Sequence, residues 1–219
     1  MISKLSELPL QRSCIVSRYI FAPLLVHQRK FDLRMYVLVT CFNPLRIYLY
    51  TNGLARFCTT AYDTSKKNLH KKYMHLTNFS VNKKAANFKA NQAADGVGAA
   101  ATSGPYANSS SADGASDSSK WSLRAFKLWL ERTYGPARCA EVWGQVTDIF
   151  VKTLLSVESS VSTHVARLAA GRRDLAFECF GFDILLDENL KPWLMEVRMG
   201  SEYKQRSTLL STYSSCMCV

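Results

Sequence analysis

Asp183 and Glu196 are the residues whose placement most directly suggests chemistry. They lie in residues 177–197, FECFGFDILLDENLKPWLMEV, where two apolar runs flank Asp187-Glu188-Asn189. Apolar runs on either side of a polar turn read as a β-hairpin. With the turn centred on Asn189-Leu190, Leu186 faces Trp193, Leu185 faces Leu194, Ile184 faces Met195 and Asp183 faces Glu196. Directly opposed side chains have Cβ atoms about 5 Å apart, where like charges repel. Two carboxylates in an apolar hairpin therefore call for a cation between them. Magnesium is a candidate, because it prefers oxygen ligands and is often shared with substrate phosphates. A bulge that shifts the register, or one carboxylate reaching solvent, would remove that need. Arg198 points to the same face, opposite Gly181. Its guanidinium cannot ligate a metal, but it can bridge to Asp183 or Glu196 and take the cation's place.

Other elements must position this pair. Residues 14–20 (CIVSRYI) read as a strand that ends before Pro23. Residues 33–42 (LRMYVLVTCF) alternate and are rich in Val, Tyr and Phe, which predicts a second strand. Asn43-Pro44 marks a turn, and residues 47–50 form the next strand. Asn52-Gly53, between RIYLYT and LARFCTT, is a strong hairpin signal. Residues 33–60 thus read as an antiparallel meander. Residues 61–84 are polar and lysine-rich, and 85–119 are low-complexity Ala, Ser, Gly and Asn, expected as a disordered insertion. Ser119 is placed to cap a helix over 120–132, with Trp121, Ala125, Leu128 and Trp129 on one face. Gly135-Pro136 breaks it. A second helix over 138–158 presents Trp143, Val146, Phe150, Leu154 and Val157, which read as core.

Composition bounds the rest. The 219 residues are 47% hydrophobic, enough to bury a core. Lys and Arg total 28 against 17 Asp and Glu, a net charge of +11 that favours an acidic partner. No recognised nucleic-acid motif accompanies that charge. The seven cysteines show no zinc spacing and, apart from Cys216 and Cys218 in the Ser-rich tail, read as reduced core residues of a cytosolic protein. The apolar stretch 20–26 is too short to span a bilayer and contains Pro23, so no membrane association is expected.

Together the blocks KFDLRMYVLVT (30–40), LRIYLYTNGLARF (45–57), HLTNFSVNKK (75–84) and FGFDILLDENLKPWLMEV (180–197), with VSRYI (16–20), resemble the core of tubulin–tyrosine ligase-like enzymes, in the family's order. The HLTNFSVNKK and DENLKPW blocks are most similar to tubulin polyglutamylases. The resemblance implies an α+β fold of ATP-grasp type, with ATP between two antiparallel sheets. It also implies two-step ligation: ATP phosphorylates a protein carboxylate, and the amine of free glutamate attacks the acyl phosphate. Glycine or tyrosine would serve related members. Carried onto this chain, the family's pattern makes Arg18, Tyr19 and Ile20 the segment whose backbone meets adenine. Lys30 and Asp32 would contact the nucleotide, with Thr77 and Asn78 lining the same pocket. Arg34 and Arg56 would face the phosphates and the acyl phosphate, and Asp183 and Glu196 would hold Mg2+. His75 reads as a polar core residue. Lysines 66, 67, 71, 72, 83, 84 and 89 stand against Asp63 and suit acidic tubulin tails. The implied protein is a cytoplasmic, microtubule-associated monomer, with cilium or basal body as further locations.

The chain also departs from that pattern. The family has Asn after Glu-Val, completing the magnesium shell, and then Ser-Pro-Ser; here Arg198 is followed by MGSEYKQRSTLL. The family's N-terminal half and its basic microtubule-binding extension have no counterpart. The expected division is a remnant at 1–13, a partial catalytic domain at 14–200 and an atypical tail at 201–219. The expectation is a fragment without ligase activity of its own, its end produced by read-through or a mis-joined exon. The alternative is a catalytically dead paralogue that binds acidic tails.

Overall fold

A computed structural model of the chain describes residues 15–85, 118–168 and 177–199, with positions 6, 8, 11, 13 and 88. The strands are β1 (Leu25–Val26), β2 (Arg29–Phe42), β3 (Leu45–Phe57), β4 (Lys120–Ser122), β5 (Glu178–Leu186) and β6 (Pro192–Met199). The helices are the short α1 (Lys72–His75) and α2 (Phe79–Asn82), then α3 (Leu123–Tyr134) and α4 (Pro136–Leu168). The sheet runs β4-β3-β2-β5-β6, every pairing is antiparallel, and β1 pairs with β2. An antiparallel sheet with flanking helices is the α+β architecture expected from the sequence.

Alternation along β2 assigns its two faces. Phe31, Leu33, Met35, Val37 and Val39 are all buried and share a core with Phe126, Leu130, Val146, Phe150 and Leu154 of α3 and α4. Ring pairs Phe31–Phe126 and Phe150–Phe182 (centroids 4.9 and 4.7 Å apart) tie sheet to helices. The intervening residues Lys30, Asp32 and Arg34 are thereby turned to the opposite face. In β5 the core residues are Phe180, Phe182, Ile184 and Leu186, which leaves Asp183 on that same opposite face.

Four expectations are corrected. Residues 15–20 form no strand, and Ile15 and Val16 are exposed; the strand in this region is β1, paired with Arg29-Lys30. Asn52-Gly53 is not a hairpin turn but lies inside β3, where Gly53 opposes Met35. Between Gly53 and the next paired residue, Leu49, β3 holds three residues against one in β2, an irregular bulge. A Cβ at Gly53 would sit 2.5 Å from the Arg34 carbonyl oxygen, so the glycine serves close approach of two backbones. Only one turn, at Asn43-Pro44, therefore joins two long strands where a meander was expected. Finally, α3 starts three residues later than predicted. Its cap is Ser122, whose Oγ accepts from the Ala125 amide at 3.2 Å, and its buried face is Leu123, Phe126 and Leu130. Lys120 and Trp121 belong to β4 instead. Gly135 (φ 84°) and Pro136 separate α3 from α4, as predicted, but α4 extends to Leu168.

Nearly all of the 85–119 insertion and the 201–219 tail lie outside the described residues. No helix among the described residues is long and apolar enough to cross a membrane.

Candidate functional site

Register places the polar face residues side by side. Asp32 opposes Arg56 across β2–β3, Arg34 opposes Asp183 across β2–β5, and Asp183 opposes Glu196 across β5–β6. The Arg56 guanidinium donates to both Asp32 carboxylate oxygens, from Nε at 2.8 Å and Nη2 at 2.5 Å, and reaches Asp183 Oδ2 at 2.8 Å. Arg34 forks onto the same Asp183, Nε to Oδ1 and Nη2 to Oδ2 at 2.8 Å. Thr77 Oγ1 donates to Asp32 Oδ2 at 2.9 Å. Asp183 is 4% exposed, Asp32 7% and Arg56 8%, while Arg34 and Thr77 are half-buried. Bidentate, desolvated arginine–carboxylate pairs of this kind are rigid.

The ionisation states follow from this geometry. Burial alone would raise the Asp183 pKa, but hydrogen bonds from Arg34 and the charges of Arg56 and Arg34 hold it below the ordinary carboxylate range. Its bond to Asp183 raises the Arg34 pKa. Burial works against the Arg56 charge, and Asp32 and Asp183 outweigh it, so its pKa also rises. Both guanidinia remain cationic and fixed on one face, paired there with Asp32 and Asp183.

Asp183 does face Glu196, by a route that the sequence did not show. Nearest the turn, Leu186 pairs with Pro192, Leu185 with Trp193 and Ile184 with Leu194, each one residue short of expectation. The turn is organised by Asp187, whose Oδ1 accepts from the Asn189 and Lys191 amides and whose Oδ2 accepts from Trp193 Nε1. An irregularity between Ile184 and Asp183 leaves Met195 as an extra residue in β6, and beyond it Asp183 meets Glu196. The bulge that might have separated the carboxylates is what opposes them.

A second polar cluster flanks the first. The Asn68 carbonyl can only accept, so His75 Nε2, 3.0 Å away, carries the hydrogen. Burial lowers the His75 pKa and favours the neutral ring. Nδ1 then accepts from the Tyr19 hydroxyl at 2.9 Å, and that oxygen accepts from Lys30 Nζ at 3.2 Å. Lys30 also lies 4.7 Å over the Tyr19 ring, and burial lowers its pKa. Asn78 enters through its carbonyl, which accepts from Asn82 Nδ2 at 3.1 Å. Asn82 is buried, and its Oδ1 accepts from the Thr59 amide and hydroxyl, tying α2 to the segment that follows β3. Arg18 is exposed and Ile20 half-buried on the stretch that leads to Tyr19.

Sequence reasoning missed Lys120. It opposes Arg56 on the site face, and its Nζ lies 3.6 Å from the Phe79 ring centroid. Burial and the Arg56 charge lower its pKa. Assigning 120–132 to a helix concealed this; the β-register of KWS against LAR would have found it. His75, read as a polar core residue, is buried as expected, but it belongs to the Tyr19–Lys30 cluster.

Among the described residues, no group of three or more His, Cys, Asp or Glu is placed to hold a metal ion. The Asp183–Glu196 pair supplies two carboxylates, each already bonded to arginine. Magnesium often takes one or two protein carboxylates and completes its shell with water and phosphate oxygens. The pair would therefore supply two ligands, with water and phosphate oxygens completing the shell.

A family model described as the tubulin-tyrosine ligase family matches residues 1–106 and 102–217. Over 209 residues the chain is 41% identical to tubulin monoglutamylase TTLL4 of Mus musculus, an alignment that covers 95% of this chain and 16% of that protein. It is 39% identical over 200 residues to tubulin polyglutamylase TTLL5 of Homo sapiens (91% and 14%). It is 39% identical over 201 residues to tubulin polyglutamylase TTLL13 of Homo sapiens (89% and 22%). The chain thus spans less than a quarter of each of these relatives.

Proposed function

Because this chain belongs to the tubulin-tyrosine ligase family, we propose that its sheet face serves ATP-dependent ligation of glutamate onto glutamate side chains of tubulin. One observation carries this reading most. Arg56 is buried and Arg34 half-buried beside it, and both are locked onto Asp183, Arg56 also onto Asp32, so two guanidinia are held in fixed positions on one face of the sheet. The names of the relatives, glutamylases of tubulin, supply the amino acid and the acceptor.

In the proposed reaction an acceptor carboxylate attacks the γ-phosphorus of ATP, giving an acyl phosphate and ADP. The amine of free glutamate then attacks the acyl carbon. An amide forms, a proton leaves the nitrogen, and phosphate departs with one of the original carboxylate oxygens. Arg34 and Arg56 bind and orient the transferring phosphoryl group and the acyl phosphate, and their charge offsets its oxygens. Lys30, held by Tyr19, and Asp32 position the nucleotide, with Thr77 and Asn78 lining the pocket. The backbone of Arg18, Tyr19 and Ile20 borders adenine. Asp183 and Glu196 would hold Mg2+, which would neutralise charge on the β- and γ-phosphates. The ATP-grasp architecture, a second sheet over this one, is part of the proposal, as are a monomeric state and a place on microtubules, in the cytoplasm or at cilia and basal bodies.

Lys67, Lys71, Lys72, Lys83 and Lys84 are exposed on and beside α1 and α2, next to Thr77 and Asn78. They give the acidic tail of tubulin a basic approach to the site. Replacing all five by Glu is expected to weaken binding of an acidic tail peptide at least tenfold, and added salt to weaken the native interaction. Fluorescence anisotropy measures both, and peptide binding that neither the charge reversal nor salt weakens would refute this role.

One observation favours a second reading, a binding module without catalysis: Glu196 is bridged by Arg198 Nη2 at 2.7 Å. The two readings part in an incorporation assay in which the protein that contains this sheet face is given tubulin, ATP and labelled glutamate, glycine or tyrosine. ATP-dependent incorporation of glutamate supports the ligase. Incorporation of glycine or tyrosine alone refutes the choice of amino acid. Binding of tubulin without any incorporation supports the binding module.

A further inference from the structure

We infer that Arg198 is a resident counter-ion on Glu196 and that it competes with a divalent cation for this carboxylate. The inference rests on reading Asp183 and Glu196 as a metal pair and adds a regulatory element within it.

Three facts lead here. Arg198 opposes Gly181, two residues along the site face from Glu196, and its Nη2 lies 2.7 Å from Glu196 Oε2. Gly181 has no side chain to separate this guanidinium from its surroundings on the face. Arg34 lies across the same glycine, since a Cβ there would meet Arg34 Cδ at 3.4 Å. The two acids on β5 and β6 are then served by three arginines, Arg34 and Arg56 on Asp183 and Arg198 on Glu196.

This arrangement removes the repulsion that would otherwise draw a metal between the opposed carboxylates. A guanidinium has five donors and no acceptor, so it blocks a ligand oxygen without contributing one. A metal reaching Glu196 must break the Arg198 bridge and accept a positive neighbour. The two partners at this bridge differ in exposure from those at Asp183. Arg198 and Glu196 side chains are 47% and 42% exposed, against 5% for Asp183. The Arg198 bridge is therefore the weak, exchangeable one, as exposed ion pairs are, while the Asp183 bridges are fixed. Metal affinity is set at Glu196, and Arg198 sets it.

The test measures Mn2+ binding to the purified 219-residue chain by the electron paramagnetic resonance signal of the free ion, with no nucleotide, glutamate or tubulin present. Arg198→Asn frees Glu196 and supplies an amide oxygen; Arg198→Ala frees it only. Arg198 is half exposed, so neither change hollows the core, and thermal unfolding of each variant checks this. The expected result is at least tenfold tighter Mn2+ binding by Arg198→Asn than by the native chain. A smaller gain is expected for Arg198→Ala, and loss of the gain in Arg198→Asn/Glu196→Gln. Equal affinity of the native chain and both single variants would overturn the inference, as would a gain that survives Glu196→Gln. Either failure leaves the ligase reading standing, because that reading is tested by glutamate incorporation.

Discussion

Replacing Asp183 by Asn keeps the shape of the side chain and removes the charge that two arginines share. Asp183 is 4% exposed, and it accepts from Arg34 Nη2 and Arg56 Nη2, each at 2.8 Å, as well as from Arg34 Nε. Removing one partner of a buried ion pair costs about 3–5 kcal/mol, because the remaining charge stays desolvated. Arg56 keeps Asp32, with bonds of 2.8 and 2.5 Å, so the lower end applies and about 3 kcal/mol is expected. With a urea slope of about 2–3 kcal/mol/M, the unfolding midpoint at pH 7 falls by roughly 1–1.5 M. Acidity supplies a second, independent signature. The Asp183 pKa is lowered in the folded chain, so the unfolded chain takes up the proton first. Its stabilisation is full above the ordinary carboxylate pKa of about 3.9 and is lost as pH falls through the folded value. The native–variant gap should therefore be widest at neutral pH and narrow progressively below about pH 4. Urea titrations of both proteins at pH 7 and pH 3 measure this. A gap below about 1 kcal/mol at pH 7, the size of an exposed pair, would refute the buried geometry; so would a gap that does not narrow in acid.

Two further perturbations probe the elements that hold the site. Gly53→Ala places a Cβ 2.5 Å from the Arg34 carbonyl oxygen, a backbone atom that cannot rotate away. A loss of about 1–3 kcal/mol and a lower thermal midpoint are expected, and an unchanged midpoint would contradict the bulge. Lys30→Met separates binding from stability. Burial lowers the Lys30 pKa, so the charged amine costs folding stability at pH 7. The apolar isostere should leave the unfolding midpoint unchanged or raised while weakening binding of labelled ATP at least tenfold. A large loss of stability would refute that reading of Lys30.

Much of the sheet could be read directly, because burial imposes a period of two. The alternation of residues 33–42 announced the strand, but β2 begins four residues earlier, at Arg29, and so takes in Asp32 as well. The hairpin over 177–197 was evident from the two apolar runs that flank Asp187-Glu188-Asn189. What escaped were features in which one residue type serves two purposes. Asn52-Gly53 has the composition of a turn, but Gly53 is required because the Arg34 backbone lies where a side chain would be. Ser119 and Ser122 are equally good caps by type, and only the pairing of Lys120–Ser122 with β3 decides between them. The Asp183–Glu196 opposition was anticipated from a turn placed half a residue away, and the Met195 bulge compensated for it. The Lys30–Tyr19–His75 chain joins residues up to 56 positions apart, and no local pattern announces it.

The measurement closest to the central claim follows oxygen. An acidic tail peptide labelled with 18O in its side-chain carboxylates is given ATP, unlabelled glutamate and the protein that contains this sheet face, native or with Arg56→Ala. If the acceptor carboxylate is activated as an acyl phosphate above Arg34 and Arg56, each phosphate released carries one 18O. Arg56→Ala should then lose labelled phosphate and glutamate incorporation together. Unlabelled phosphate accompanying peptide glutamylation, or full labelling without Arg56, would contradict the account.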